Sequence, residues 1–297
     1  MLIYKRVYVG SQCNNSCLYC RKSNRPDDPE LSEIADQLTR NGGVDSIELC
    51  GGEPTLRRDF FSILDTARDQ GFKRIKLLTN ARAFADGHTA VKTVESGCYF
   101  FEIKVHHYRP DIHDDVTQVS GSLQETVQGI INLRTITTLD QAPFSAFISL
   151  RIPVSRHNYE DIGPIALSFI PYQVDRIILS YDDSGLEMSK ALPYIQNAIS
   201  GAILNRVWIV TRGIPLCAMT GMEHHVSEIY GTPYGAYKKS EDCKRCVYED
   251  VCPGMDRGYL DHFGHDHLVP VPESRHIEDM RTLMGLNEGG TGGNGQG

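Results

Sequence analysis

Short apolar runs rich in β-branched residues alternate with longer stretches whose apolar positions recur every three or four residues. The β-type runs are 4–9, 46–50, 74–79, 99–105, 145–152 and 175–181. Between them, Leu31, Ile34, Ala35 and Leu38 mark one helix, Leu64 and Ala67 a second, and Leu123, Val127, Ile130, Ile131 and Arg134 a longer third. A fourth spans 159–169. Ser122, with Glu125 three residues on, reads as a capping box at the start of the third helix. Six βα units in a row predict an α/β fold with a parallel sheet and helical crossovers. Periodicity leaves open whether that sheet closes.

The pattern changes after about residue 205. One β-type run, 207–211, leads into an irregular stretch rich in Gly, Pro and Cys. The expected division is a barrel-like unit over 1–204, a small metal-held domain over 205–268, and a tail over 269–297. The end of the tail, NEGGTGGNGQG, has the composition of a disordered segment.

Charge and composition narrow the classes. The 297 residues carry a formal net charge of −8 and no Lys/Arg run, which argues against a nucleic-acid partner. No stretch approaches the roughly 18 apolar residues of a membrane span. The opening MLIYKRVYVG is too short and too charged for a signal peptide, so a cytoplasmic location is expected. Nine cysteines in a reducing compartment point to metal or catalysis before disulfides.

Three of them, Cys13, Cys17 and Cys20, lie on one short loop just after the first β-type run, in CNNSCLYC. Three thiolates can hold three irons of a [4Fe–4S] cube and leave the fourth open to a small molecule. Zinc wants a fourth ligand at hand, and no Cys or His follows closely. At the end of the second run stands Gly51-Gly52-Glu53-Pro54.

The cysteine spacing with an aromatic residue, Tyr19, before the last cysteine, followed by GGEP, resembles the radical S-adenosylmethionine (SAM) superfamily over about residues 4–200. The resemblance implies a partial (β/α)6 TIM-like barrel with its site at the strand C-terminal ends. It implies a [4Fe–4S] cluster that binds SAM, with Gly51, Gly52, Glu53 and Pro54 holding the methionyl amino group. Thr79-Asn80 matches part of the family's Thr-Asn-Gly, with Ala81 in place of the glycine. Arg151 stands where the family often contacts the SAM carboxylate or ribose. His106, His113 and Asp114 resemble a His…His-Asp pattern of some members, without an assigned role.

Glu102, Lys104 and His106 alternate along the fourth run and share one face, which makes them candidate catalytic groups. Cys50, beside GGEP, is a candidate hydrogen-atom donor or a packed thiol, and Cys98 a buried one. Cys217, Cys243, Cys246 and Cys252 can close a second [4Fe–4S] cube or a zinc site. They resemble the SPASM and twitch auxiliary-cluster domains, in the shorter one-cluster form. The clusters His224/His225 and His262/His265/His267 remain ambiguous.

By this resemblance, reductive cleavage of SAM yields a 5′-deoxyadenosyl radical that takes a substrate hydrogen. The electron comes from a low-potential carrier such as flavodoxin or ferredoxin. Oxidation or epimerisation of a small biosynthetic molecule is expected. Modification of a peptide or protein is the alternative, and a non-catalytic zinc protein the third reading.

Overall fold

The computed structural model describes residues 4–20, 28–41, 43–138, 145–181, 185–230, 237–265 and 268–283. Seven strands form one parallel sheet: β1 (Lys5–Tyr8), β2 (Ser46–Cys50), β3 (Arg74–Thr79), β4 (Cys98–Lys104), β5 (Phe147–Pro153), β6 (Arg176–Ser180) and β7 (Ile209–Arg212). They are ordered in space as in sequence, with β1 and β7 at the two edges. Helices α1 (Leu31–Arg40), α2 (Phe60–Asp69), α3 (Gly87–Glu95), α4 (Pro110–Thr117), α5 (Ser122–Thr138), α6 (Ile162–Ser168) and α7 (Met188–Leu204) make the crossovers. The expected partial barrel is therefore present, with one strand more than six. The run expected to open a second domain is β7, paired to β6 from Ile177↔Ile209 to Ser180↔Arg212, so the sheet continues past residue 204.

The sheet's two faces differ. Ile47, Leu49, Ile75, Leu77, Phe101, Ile103, Ile148, Leu150, Ile177 and Leu179 are all at most 1% exposed and form the apolar core with the helices. The other face carries charge. Arg6 pairs with Glu48 (2.7 Å), Glu48 with Lys76, Lys76 with Glu102 (3.3 Å), and Glu102 with Arg212 (2.7 Å). Side chains stand roughly perpendicular to a sheet, and β4 and β7 are three strand spacings of about 4.8 Å apart. A direct Glu102–Arg212 contact therefore requires the sheet to curl with its charged face inside.

One helix start differs from expectation. Ser122 is not an N-cap in a box with Glu125. Its hydroxyl donates to Asp114 (2.8 Å), whose carboxylate also accepts the N–H groups of Gly121 (2.6 Å) and Leu123 (3.0 Å). Asp114, eight residues upstream, caps α5, and Glu125 is drawn away to Arg82 (2.6 Å). Among the described residues, no helix is long and apolar enough to cross a membrane. His267 and the Gly-rich tail lie outside the described residues.

Candidate functional site

The loop bearing Cys13, Cys17 and Cys20 leaves the C-terminal end of β1 and lies against the GGEP turn. Gly52 N–H donates to Gly10 O (2.7 Å) and Glu53 N–H to Gln12 O (2.6 Å). This seam explains the glycines. A Cβ on Gly51 would meet Gly10 O at 2.2 Å, and one on Gly52 would meet Gln12 O at 2.0 Å. Both are far inside van der Waals contact, so only glycine lets the two backbones touch. The loop is anchored from its other side by Ser16 N–H to Thr117 O (2.9 Å) and Leu18 N–H to Val116 O (3.0 Å), at the end of α4.

Glu53 is buried and fixed from two strands. Its carboxylate accepts from Thr55 Oγ1 (2.7 Å), Thr79 Oγ1 (2.8 Å) and Asn80 N–H (2.7 Å). Burial raises its pKa, and these hydrogen bonds offset the rise only in part. A buried carboxylate in that condition gains from an arriving cation. Asn80 extends the connection, its amide donating to Asn14 Oδ1 (2.7 Å) and lying 3.8 Å from Cys13 Sγ.

One residue of this seam carries no sequence signal, and another is visible only by its position. Arg82 donates to Asn14 O (2.5 Å) and Asn15 Oδ1 (2.7 Å), clamping the cysteine loop. Ala81 adopts the left-handed backbone (φ 61°), the conformation a glycine takes readily. Its place after Thr79-Asn80 was visible in the sequence, whereas the three-dimensional neighbours of Arg82 were not.

The candidates of β4 separate. Glu102 is buried and bound by Arg212, by Lys76 and, at 3.9 Å, by Arg151. Burial alone would raise its pKa, but the three cations hold it well below the usual carboxylate range. Lys104 is exposed and acts electrostatically on Cys17, whose thiol pKa is raised by burial with Cys13 and Cys20 adding to the rise. His106 lies past the strand end, buried, with its ring 6.2 Å from that of Tyr19 and 5.6 Å from that of His113. Burial, reinforced by Lys104, keeps it neutral, well below the ordinary histidine range. Arg151 donates to Ser180 Oγ (3.0 Å) from the charged face. Cys50 turns its thiol to Val7 O of the neighbouring strand (3.7 Å), and Cys98 is fully buried, as expected. Pro54 opens a 3-10 turn beneath Glu53.

The four later cysteines come together. Cys217, Cys243, Cys246 and Cys252 line one pocket with Pro215, Met255, Leu260, Leu268 and Pro270. Burial, with the three other thiols adding, pushes the Cys217 thiol up to about 12. Around one zinc at about 2.3 Å, four thiolates would sit about 3.8 Å apart. Among the described residues, neither cysteine set brings three sulfurs within 4.8 Å of one another; only His224, His276 and Asp279 approach that closely. That surface trio has Arg275 Nε 3.0 Å from His276 Nε2, which disfavours a cation there. Three thiols on one loop, and four around one pocket, are donor sets of the kind that can hold a [4Fe–4S] cube. Of the remaining histidines, His225 holds Ile209 O through Nδ1 (2.8 Å) and His262 packs on Phe263 (ring centroids 4.4 Å apart).

Comparison with known proteins agrees with this geometry. Residues 7–162 match the radical SAM superfamily. A probable GTP 3′,8-cyclase of Methanocaldococcus jannaschii is 25% identical over 194 residues, 61% of this chain and 64% of that protein. One from Methanopyrus kandleri is 32% identical over 130 residues, 42% of this chain and 41% of that protein. An S-adenosylmethionine-dependent nucleotide dehydratase of Selenomonas ruminantium is 39% identical over 84 residues, 27% of this chain and 30% of that protein. The matches thus span less than two thirds of each of these relatives. Among solved structures, Streptococcus suis SuiB aligns over 90% of this chain and 66% of its own (TM-score 0.57, 17% identity), and methylornithine synthase over 71% and 64% (TM-score 0.52, 14% identity). At such identities the likeness is one of fold.

The names of these relatives overturn the expected reaction. Two of them describe a cyclisation and the third a nucleotide dehydration, not the dehydrogenation or epimerisation of a small biosynthetic molecule or the modification of a peptide. The reason is chemical: the cysteine triad and GGEP report how a radical is made, not where it is spent. The non-catalytic zinc reading falls with them. The radical SAM match, residues 7–162, covers more than half of the sequence, and the chain belongs to that superfamily, whose members use a [4Fe–4S] cluster and SAM.

Proposed function

We propose that the protein is a radical SAM enzyme that cyclises a purine nucleoside triphosphate, with GTP as the first substrate to test. The observation that carries this reading is the similarity to a probable GTP 3′,8-cyclase over 194 residues, 61% of this chain. When bound, the cluster and SAM supply a radical able to take hydrogen from an unactivated carbon.

The chain's own residues do the positioning. Cys13, Cys17 and Cys20 are the ligands of the first cluster. The Gly10–Gln12 seam fixes the GGEP turn, and with it the amino end of SAM, relative to those ligands. Arg151 serves the SAM carboxylate or ribose. Lys104, exposed at the barrel mouth, and the cations around Glu102 favour a polyanionic substrate. His106, held neutral, can pass or accept a hydrogen bond without adding charge. Cys217, Cys243, Cys246 and Cys252 hold a second cluster in an apolar wall, and a low-potential electron carrier serves the first.

The test is anaerobic reconstitution with iron and sulfide, then incubation with SAM, dithionite and GTP. The expected result is GTP-dependent release of 5′-deoxyadenosine and a new product that keeps all three phosphates. A product lighter by one water would favour the dehydratase chemistry named for the Selenomonas relative. Release of 5′-deoxyadenosine indifferent to every nucleoside triphosphate would reject the nucleotide reading.

A further inference from the structure

The four-cysteine pocket has a fifth chemically active wall residue. Helix α8 (Arg257–Phe263) is capped at its start by Asp256, which accepts the N–H groups of Gly258 (2.9 Å) and Tyr259 (3.2 Å). It stops at Gly264, whose φ of +72° only glycine adopts without strain. That reversal sets His265 into the pocket lined by Cys217, Cys243, Cys246 and Cys252. Its Nδ1 is buried and has no hydrogen-bond partner among the described residues. A buried nitrogen left in that state costs about 1–3 kcal/mol, and native structures seldom keep one without a use. His225, by comparison, has its Nδ1 on a backbone carbonyl at 2.8 Å. The rest of the wall mixes apolar side chains with Lys238, Lys239, Ser240, Asp242 and Glu249. Ser240 Oγ lies 3.6 Å from Cys243 Sγ, the Val271 N–H donates to Cys246 Sγ (3.4 Å), and the Tyr248 hydroxyl is engaged by Glu223. Among the described residues, His265 thus carries the one buried side-chain nitrogen of this wall left unpaired.

Four thiolates already satisfy a [4Fe–4S] cube. The imidazole is therefore surplus as a ligand and placed as a donor. We propose that His265 donates an Nδ1–H hydrogen bond to a sulfur of the cluster held by Cys217, Cys243, Cys246 and Cys252, and so raises that cluster's reduction potential. Reduction adds negative charge to the sulfurs, and a donor aimed at them stabilises the reduced state more than the oxidised one. His265 is a positioning and tuning residue. The inference rests on the second cluster and not on the substrate, so its test uses no nucleotide.

The experiment is an EPR-monitored redox titration of the reconstituted full chain in three forms: wild type, His265→Phe and His265→Asn. Iron content should stay at about eight per chain in all three. The potential of the second cluster should fall in H265F by about tenfold in the one-electron equilibrium, or 59 mV. It should recover in part in H265N, which keeps a donor, while the first cluster's potential stays put. An unchanged potential in H265F would overturn the proposal. So would iron lost from H265F alone, which would make His265 a ligand, and so would zinc in the four-cysteine site of the wild type.

Discussion

The two cysteine sites are built in opposite ways. The loop of Cys13, Cys17 and Cys20 is clasped by protein from three directions: by the GGEP backbone, by Asn80 and Arg82, and by the end of α4. Among its described residues, the region from Cys217 to Asp256 has 3-10 turns and one ladder of two two-residue strands, β8 (Tyr237–Lys238) and β9 (Met255–Asp256). The first site is an arrangement the scaffold imposes on its ligand. The second rests on buried side chains such as Met219, Tyr248 and Tyr259, and a bound cluster, as proposed, would tie its four cysteines together.

That contrast is sharpest when each set of ligands is removed. Replacing Cys217, Cys243, Cys246 and Cys252 by Ser should unfold the region after β7, so that limited proteolysis cuts within 213–283 and spares the barrel. Replacing Cys13, Cys17 and Cys20 by Ala should abolish 5′-deoxyadenosine release yet leave the melting temperature within a few degrees of wild type. Equal melting losses in the two variants would erase the distinction. Next in size is Gly52→Ala, whose Cβ would fall 2.0 Å from Gln12 O. It should destabilise the protein by about 3 kcal/mol in urea unfolding and weaken SAM binding. The same change at Gly163 in α6, where nothing lies within 4 Å and the backbone is not left-handed, serves as the control.

Asp114→Ala removes the α5 cap and should cost about 1–2 kcal/mol at neutral pH. Burial works against ionisation of Asp114, but the Leu123 and Gly121 N–H groups and Ser122 hold its carboxyl below the usual value. Such a group stabilises the fold above its unfolded pKa of about 3.9, and that contribution is lost as pH falls through the lowered folded value. Unfolding of D114A and wild type should therefore converge in acid and not at alkaline pH. The smallest effect belongs to Ala81→Gly. It relieves about 1 kcal/mol of left-handed strain and loosens the unfolded chain by a similar amount, so stability and SAM cleavage should stay close to wild type.

What could be read in the sequence follows the range of the forces involved. The strands 46–50 and 74–79 match their apolar runs to the residue, because a doubly covered parallel strand declares itself locally. Helix α7 was not foreseen, and Pro193 inside it breaks the helical pattern. Helix α4 opens on Pro110 and carries His113 and Asp114, which read as chemistry before they read as a helix. Ser122 and Glu125 had the right spacing for a box, but Asp114 and Arg82 outbid them from elsewhere in the fold. Arg212, the partner of Glu102, is 110 residues away, and no local pattern links them. The cysteine ligands were legible because their spacing is local; the reaction was not, because substrate contacts are distributed over many strand ends.

Each strand of the sheet pairs only with its neighbours in sequence. A ribosome releasing the chain from its N-terminus therefore delivers every strand next to a partner already in place. The groups that clasp the first cysteine loop, from Glu53 through Asn80 and Arg82 to Thr117, have all emerged before residue 118. The second set is complete only with Cys252 and His265. N-terminal units fold first during synthesis, so the residues of the first site are on hand well before those of the second.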